Sequence, residues 1–160
     1  MKGEMEPPLS HSNKSGTIAS ACLGGQLCRY DGTAKPVQDI LQGAQDGKIQ
    51  LACPECLGGL TAPRAPAEIQ GGDGYDVLDG KACVKDAEGN DVTAQFLAGA
   101  ERLLELVRLS GASRVVLKSK SPSCGVHAVY DGTFTGATRP GPGVAAALLQ
   151  RAGIEVAEQQ

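Results

Sequence analysis

Aromatic side chains are scarce in this sequence: 160 residues contain no tryptophan, two phenylalanines and three tyrosines, which leaves little surface for stacking. Long hydrophobic runs are also missing. No stretch of about 18 apolar residues occurs, so no membrane-spanning helix is expected. The start, Met1-Lys2-Gly3-Glu4-Met5-Glu6-Pro7-Pro8, has no apolar segment after its lysine, so no secretory signal is expected either, and the chain is assigned to the cytoplasm. Charge of one sign is lacking too. Fifteen basic against eighteen acidic residues give a net charge of −3, with no basic cluster beyond the spaced Lys118 and Lys120. An extended nucleic-acid footprint is thereby disfavoured, although a local arginine suffices for one small anion.

What is present is an ordinary globular balance, 41% hydrophobic and 21% charged, at a length that suits one domain. Superimposed on it are 22 glycines, 9 prolines and 6 cysteines. In a reducing cytosol, and in a chain long enough to need no disulfide staples, six cysteines point to metal binding or catalysis.

Along the chain, residues 1–15 are polar and aperiodic and read as a flexible tail, leaving residues 16–160 as the domain. Thr17-Ile18-Ala19-Ser20-Ala21 reads as a buried strand that stops at Cys22-Leu23-Gly24-Gly25. Val37, Ile40, Leu41 and Ala44 recur at helical spacing, so a helix is expected over 36–46, closed by Gly47. Ile49-Gln50-Leu51-Ala52 is the next strand and runs into Cys53-Pro54-Glu55-Cys56-Leu57-Gly58-Gly59. The segment 60–92 is turn-rich, with one hairpin expected around Ala82 to Lys85. Asp91 or Thr93 then caps a long helix whose apolar stripe is Phe96, Leu97, Ala100, Leu103, Leu104 and Val107. Arg114-Val115-Val116-Leu117-Lys118 reads as a strand leading to Ser121-Pro122-Ser123-Cys124-Gly125. Residues 131–143 read as loop, Val144 to Ala152 as the last helix and Ile154-Glu155-Val156 as a terminal strand.

Alternating strands and helices predict an α/β domain, Rossmann-like, with a small, mainly parallel sheet flanked by helices. Ligands of such sheets bind outside the carboxyl ends of the strands. Cys22, Cys53 and Cys124 each follow a strand, so a parallel sheet would bring all three to one rim. Thiolates suit zinc, copper(I) and iron-sulfur clusters. Three of them on a cubane leave one iron without a protein ligand, free to act as a Lewis acid. Three competing readings stand beside this one. Each thiol on its own also fits a small buried residue near a glycine turn. Cys53 and Cys56, with Cys22 and Cys28, would form a four-cysteine zinc site, although the gap from Cys22 to Cys28 is wider than usual. Cys53-Pro54-Glu55-Cys56 also fits a dithiol redox motif, which normally opens a helix, whereas Leu57-Gly58-Gly59 reads as loop. Cys83 is read as structural.

At Ser20-Ala21-Cys22-Leu23-Gly24-Gly25, Cys28-Arg29-Tyr30-Asp31-Gly32, Cys53-Pro54-Glu55 with Leu57-Gly58-Gly59-Leu60 and Pro63-Arg64, Asp91-Val92-Thr93, Lys118 through Gly125, and Tyr130-Asp131-Gly132-Thr133-Phe134, the sequence resembles a bacterial family associated with thiouracil desulfidases. The resemblance covers about residues 16–157. It implies a [4Fe-4S] cluster held by Cys22, Cys53 and Cys124, with one iron not ligated by protein. It also implies a small-molecule substrate, a thiolated pyrimidine as thiouracil or a thiouridine nucleoside or nucleotide, desulfurated without redox change to the uracil or uridine form and hydrogen sulfide. On that reading Glu55, two residues past Cys53, is the base that deprotonates water. Ser121 is expected to hydrogen-bond the ring or assist proton transfer, or else to be a turn residue. Arg29, Asp31, Arg64 and Ser123 are the expected substrate-binding residues, Arg29 and Asp31 being alternatively an ion pair that braces the loop. Arg29, Arg64 or Arg139 would hold a nucleotide phosphate. His127 is expected to be packed. Cys56 stands where an apolar residue is expected, and binding of Cys56 to the cluster would block the substrate. With Phe96 assigned to a helix core, stacking is expected to contribute little to holding the base.

Overall fold

The computed structural model describes residues 16–160, so the expected tail over 1–15 lies outside the described residues. Four parallel strands form the central sheet: β1 (Thr17–Ser20), β2 (Ile49–Ala52), β5 (Arg114–Lys118) and β8 (Val156–Gln159), in the order β2-β1-β5-β8. Thr17 lies opposite both Ile49 and Arg114, so the three strands that precede the cysteine loops start level and end on one rim. The chain goes from β1 outward to β2 and then returns across β1 to β5. The order therefore reverses between β1 and β5, which is where such sheets open a crevice.

Side-chain alternation along these strands makes two apolar layers. Ile18, Val115 and Leu117 face the larger one, with Phe96, Ala100, Leu103 and Val107 of the helix α4 (Thr93–Ser110) and Val144, Ala145 and Leu149 of α5 (Val144–Arg151). Ala19 and Val116 face the other way, against Leu23 and Ile40, the latter on α1 (Gln38–Gln45). Each large apolar side chain fully buried here contributes about 1.5–3 kcal/mol, so the Phe96, Leu103, Val107 face of α4 anchors the domain. The expected helices and parallel strands are thus present, except that the terminal strand, expected over Ile154 to Val156, begins only at Val156.

The turn-rich segment holds more structure than its composition announces. Ala67–Gln70 (β3) pairs antiparallel with Cys83–Asp86 (β4), and a short helix α3 (Gly74–Leu78) lies between them. Asp73 and Asp76 close a capping box at its start. Two further strands, β6 (Ala128–Tyr130) and β7 (Thr138–Pro140), make a second ribbon, β7 lying within the 131–143 segment where loop was expected. His127, expected to be packed, is exposed just before β6.

A single helical turn, α2 (Pro54–Leu57), follows β2 directly. Its Gly58 lies so close to α4 that a methyl group there would collide with the Gln95 carbonyl, and one on Gly99 would collide with the Pro54 carbonyl. Two facing glycines therefore let the turn that carries Cys53 sit on the backbone of α4. The Arg102 side chain adds a hydrogen bond to the Leu57 carbonyl at the end of that turn.

Candidate active site

Cys22, Cys53 and Cys124 line one cleft of about 390 Å³ at the carboxyl ends of the sheet strands. Cys22 follows β1 in a turn of 3-10 helix (Ala21–Gly24), Cys53 is the residue before α2, and Cys124 lies in the loop after β5. Cys22 and Cys124 are buried, at 7% and 4% exposure. The three thiols stand on three separate segments and meet only because the strands run parallel.

Hydrogen bonds fix Cys124 where β1 and β5 separate. The Lys118 amide donates to Ser20 Oγ at 3.0 Å, and Ser20 Oγ donates to Cys124 Sγ at 3.2 Å. Ser121 Oγ accepts from the amides of Cys124 (2.7 Å) and Ser123 (3.2 Å), so Ser121 shapes the turn that presents Cys124. Burial pushes the Cys124 thiol up to about 12, against which the Ser20 hydrogen bond acts. Cys53 differs: a hydrogen bond from the Cys28 thiol, with help from the Cys56 amide, lowers it to about 6. Cys22 is lowered as well, chiefly by a hydrogen bond from Cys28. Burial holds the Lys118 ammonium below its ordinary value.

Glu55 faces the same cleft from α2. Arg64 donates to Glu55 Oε1 from Nη2 (2.7 Å) and Nε (3.2 Å), and its Nη1 donates to the carbonyls of Thr61 (2.8 Å) and Cys28 (3.0 Å). Both side chains are largely buried, at 11% and 13% exposure. Ser123 Oγ donates to the other carboxylate oxygen at 2.9 Å and lies 3.2 Å from Ser121 Oγ. A chain of polar groups thus runs from Ser121 through Ser123 to Glu55.

Most of the residues expected at a site are therefore brought together, but their tasks differ. Glu55, Ser121, Ser123, Arg29 and Arg64 all line the cleft. Arg64 has four of its guanidinium hydrogen bonds committed within the protein, which makes it a clamp on Glu55 instead of a free anion receptor. Ser123 is buried at 2% exposure and turned toward Glu55. Asp31 is not among the cleft residues. Its carboxylate accepts from the Thr33 amide and sits at a loose 3.9 Å from Arg29, the bracing arrangement.

Two expectations need correction. Cys53-Pro54-Glu55-Cys56 does open a helical turn, because Pro54 at its first position is pre-set for helix, whereas the sequence suggested loop. Stacking surface is also concentrated at the site: of five aromatics, Tyr30, Tyr130 and Phe134 line this cleft, while Phe96 is in the core as expected. Ser20 and Glu68 carried no assigned role in the sequence reading. A lone hydroxyl in the apolar run Ile18-Ala19-Ser20-Ala21 was the available signal for Ser20.

The donor set fits a cluster. Three thiols from separate segments line one cleft, and soft thiolates are the ligands that iron-sulfur clusters take. Among the described residues, no three His, Cys, Asp or Glu side chains are grouped to hold a single metal ion.

A family model described as 2-thiouracil desulfurase matches residues 17–160. A protein of Bacillus subtilis (strain 168) named Uncharacterized protein YbbK is 47% identical over 139 residues, which is 87% of this chain and 92% of the relative. Among solved structures, a [4Fe-4S]-dependent thiouracil desulfidase, TudS, is 40% identical and similar at a TM-score of 0.79, over 91% of each chain. The family model spans nearly the whole chain, and the chain belongs to the 2-thiouracil desulfurase family.

Proposed function

We propose that this chain is a [4Fe-4S]-dependent desulfidase that hydrolyses the carbon-sulfur bond of a thiolated pyrimidine, thiouracil or a thiouridine form, and releases hydrogen sulfide. The observation that carries the reading is the meeting of Cys22, Cys53, Cys124 and the Arg64-clamped Glu55 in one cleft. Cys22, Cys53 and Cys124 would hold the cluster. Such a cluster, with one iron lacking a protein ligand, would supply a Lewis acid for the substrate's thiocarbonyl sulfur.

The chain's own groups handle water and protons. Glu55 takes a proton from the attacking water at Oε2, while Arg64 holds Oε1 and so fixes the plane of the carboxylate. Water adds to the ring carbon, Glu55 passes its proton to the sulfur, and as the carbon-sulfur bond breaks and the carbonyl forms, Glu55 carries the remaining hydroxyl proton to the departing sulfur as well. Atoms balance without an electron donor: thiocarbonyl plus water gives carbonyl plus hydrogen sulfide. Ser121 and Ser123 keep the carboxylate hydrogen-bonded during the exchange. Arg29, half-buried at the cleft, is the side chain placed to meet a nucleotide phosphate. The cytoplasm, where thiols stay reduced, suits this cofactor. No helix among the described residues is long and apolar enough to cross a membrane.

The test is anaerobic reconstitution with iron and sulfide, followed by assays on 2-thiouracil, 4-thiouracil and 4-thiouridine monophosphate. A brown protein with about four iron and about four sulfide per chain that releases sulfide from at least one of them supports the reading. A colourless zinc protein would sink it. The helical turn at Cys53 and Cys56 favours one second reading, dithiol redox exchange. That alternative predicts disulfide reductase activity in metal-free protein, and the desulfidase reading predicts none.

A further inference from the structure

Phe134 is one of two non-glycine residues among those described whose backbone has a positive φ, at +58°. L-residues adopt that region at a cost, and it is glycine or asparagine that usually occupies it. Phe134 is also 39% exposed, an expensive way to present a large apolar ring. Such strain persists only where the surroundings over-determine it, and it gathers at ligand clamps.

The surroundings here are unusually specific. Glu68, on β3, is buried at 8% exposure, and its Oε1 accepts from the amides of Gly132 (2.9 Å) and Phe134 (3.1 Å). Gln70, two residues along the same strand, donates to the Gly132 carbonyl at 2.9 Å. Gly132 has φ +97°, and a methyl group there would collide with the Ile69 carbonyl. A buried carboxylate and a neighbouring amide thus pin the Asp131–Gly136 loop against β3, and the pinned loop sets the Phe134 ring on the wall of the cluster cleft with Tyr130 and Tyr30.

We propose that Phe134 is the stacking residue for the pyrimidine ring, with Glu68 as the positioning residue that holds it there. The proposal rests on the desulfidase reading for the identity of the ligand. It specifies the substrate class further: the cleft takes flat, aromatic thiocarbonyl compounds and discriminates against open-chain ones such as thiourea, which offer the same sulfur without a ring to stack.

Uracil, the unreactive product, is the probe, because its binding to cluster-loaded protein needs no turnover. Glycine at 134 removes the ring while suiting the positive φ, so the loop keeps its course and the variant folds. Calorimetric titration of uracil should show about tenfold weaker binding to Phe134→Gly, in line with the loss of one base-aromatic stack. Phe134→Tyr should bind as the wild type does, and Glu68→Ala should weaken binding by a similar factor while leaving the iron content unchanged. Unaltered uracil affinity in Phe134→Gly, or a wild type that does not bind uracil, would overturn the proposal. A wild type that binds uracil through Phe134 but releases no sulfide from thiouracil would instead overturn the desulfidase reading alone.

Discussion

Arg64 holds Oε1 of Glu55 through two nitrogens, at 2.7 and 3.2 Å, and leaves Oε2 to Ser123. Both carboxylate oxygens are therefore held by the protein, Oε1 by the guanidinium and Oε2 by one hydroxyl. Replacing Glu55 by alanine should keep the brown colour and lower kcat by roughly 100-fold or more, the usual contribution of a general base. Wild-type turnover in Glu55→Ala with full iron content would reject its role.

Removing the clamp should act differently. Arg64→Ala leaves a largely buried carboxylate without its cation, which costs about 3 kcal/mol of stability. Urea unfolding should show that loss, and changing Glu55 to glutamine in the same protein should recover most of it. A single Arg64→Ala variant as stable as the wild type would mean that the pair is solvated in solution.

Ser20→Ala removes a donor to Cys124 and an acceptor for the Lys118 amide at one step. A net loss of about 1–3 kcal/mol is expected, because the buried amide is left unsatisfied. The visible spectrum of the reconstituted variant should shift, since hydrogen bonds to ligand sulfur tune iron-sulfur clusters. Identical spectra and unfolding midpoints would show that this hydrogen bond is unimportant.

The two additional thiols near the ligands separate by the same approach. Cys28 and Cys56 each lie beside Cys53, but Cys56 is not among the residues lining the cleft. Cys56→Ser should retain about four iron per chain, whereas Cys124→Ser should retain none, as measured by iron assay after anaerobic reconstitution. Loss of iron from Cys56→Ser would make it a ligand.

How much of this was legible in the sequence depends on how each element is held. β1, β2 and β5 are short apolar runs ending in cysteine or a cysteine loop, and α4 shows a full stripe from Phe96 to Val107, so the sheet, the major helix and the convergence of three thiols followed from pattern. α3 is held by side-chain caps at Asp73 and Asp76 within a glycine-rich segment that reads as turn. β7 is exposed along its whole length and carries no alternation to read. The Arg64 clamp and the Glu68 contacts to Gly132 and Phe134 join residues 9, 64 and 66 positions apart through loop geometry, which no local period encodes.

Acid sensitivity follows from loops held by carboxylates. Hydrogen bonds from the Asn90 amide to Asp86, from Thr93 to Asp91 and from the Thr133 hydroxyl to Asp131 hold these groups below their ordinary 3.8. A lowered folded-state value means that the stabilisation is complete above 3.8 and is lost as pH falls through the lower folded values. The urea midpoint of metal-free protein should fall between about pH 7 and about pH 5 as Cys53, held at about 6, takes up its proton, and fall again below about pH 4 as these carboxylates are protonated. A midpoint that does not fall below about pH 4 would show that these loop carboxylates contribute nothing.

Hydrolytic carbon-sulfur cleavage is tested most directly by mass analysis of the product made anaerobically, without reductant, from 2-thiouracil in oxygen-18 water by the cluster-loaded protein. One labelled oxygen in each uracil formed, with one sulfide released per uracil, is the expected result. Unlabelled product, or turnover that requires an added electron donor, would contradict it.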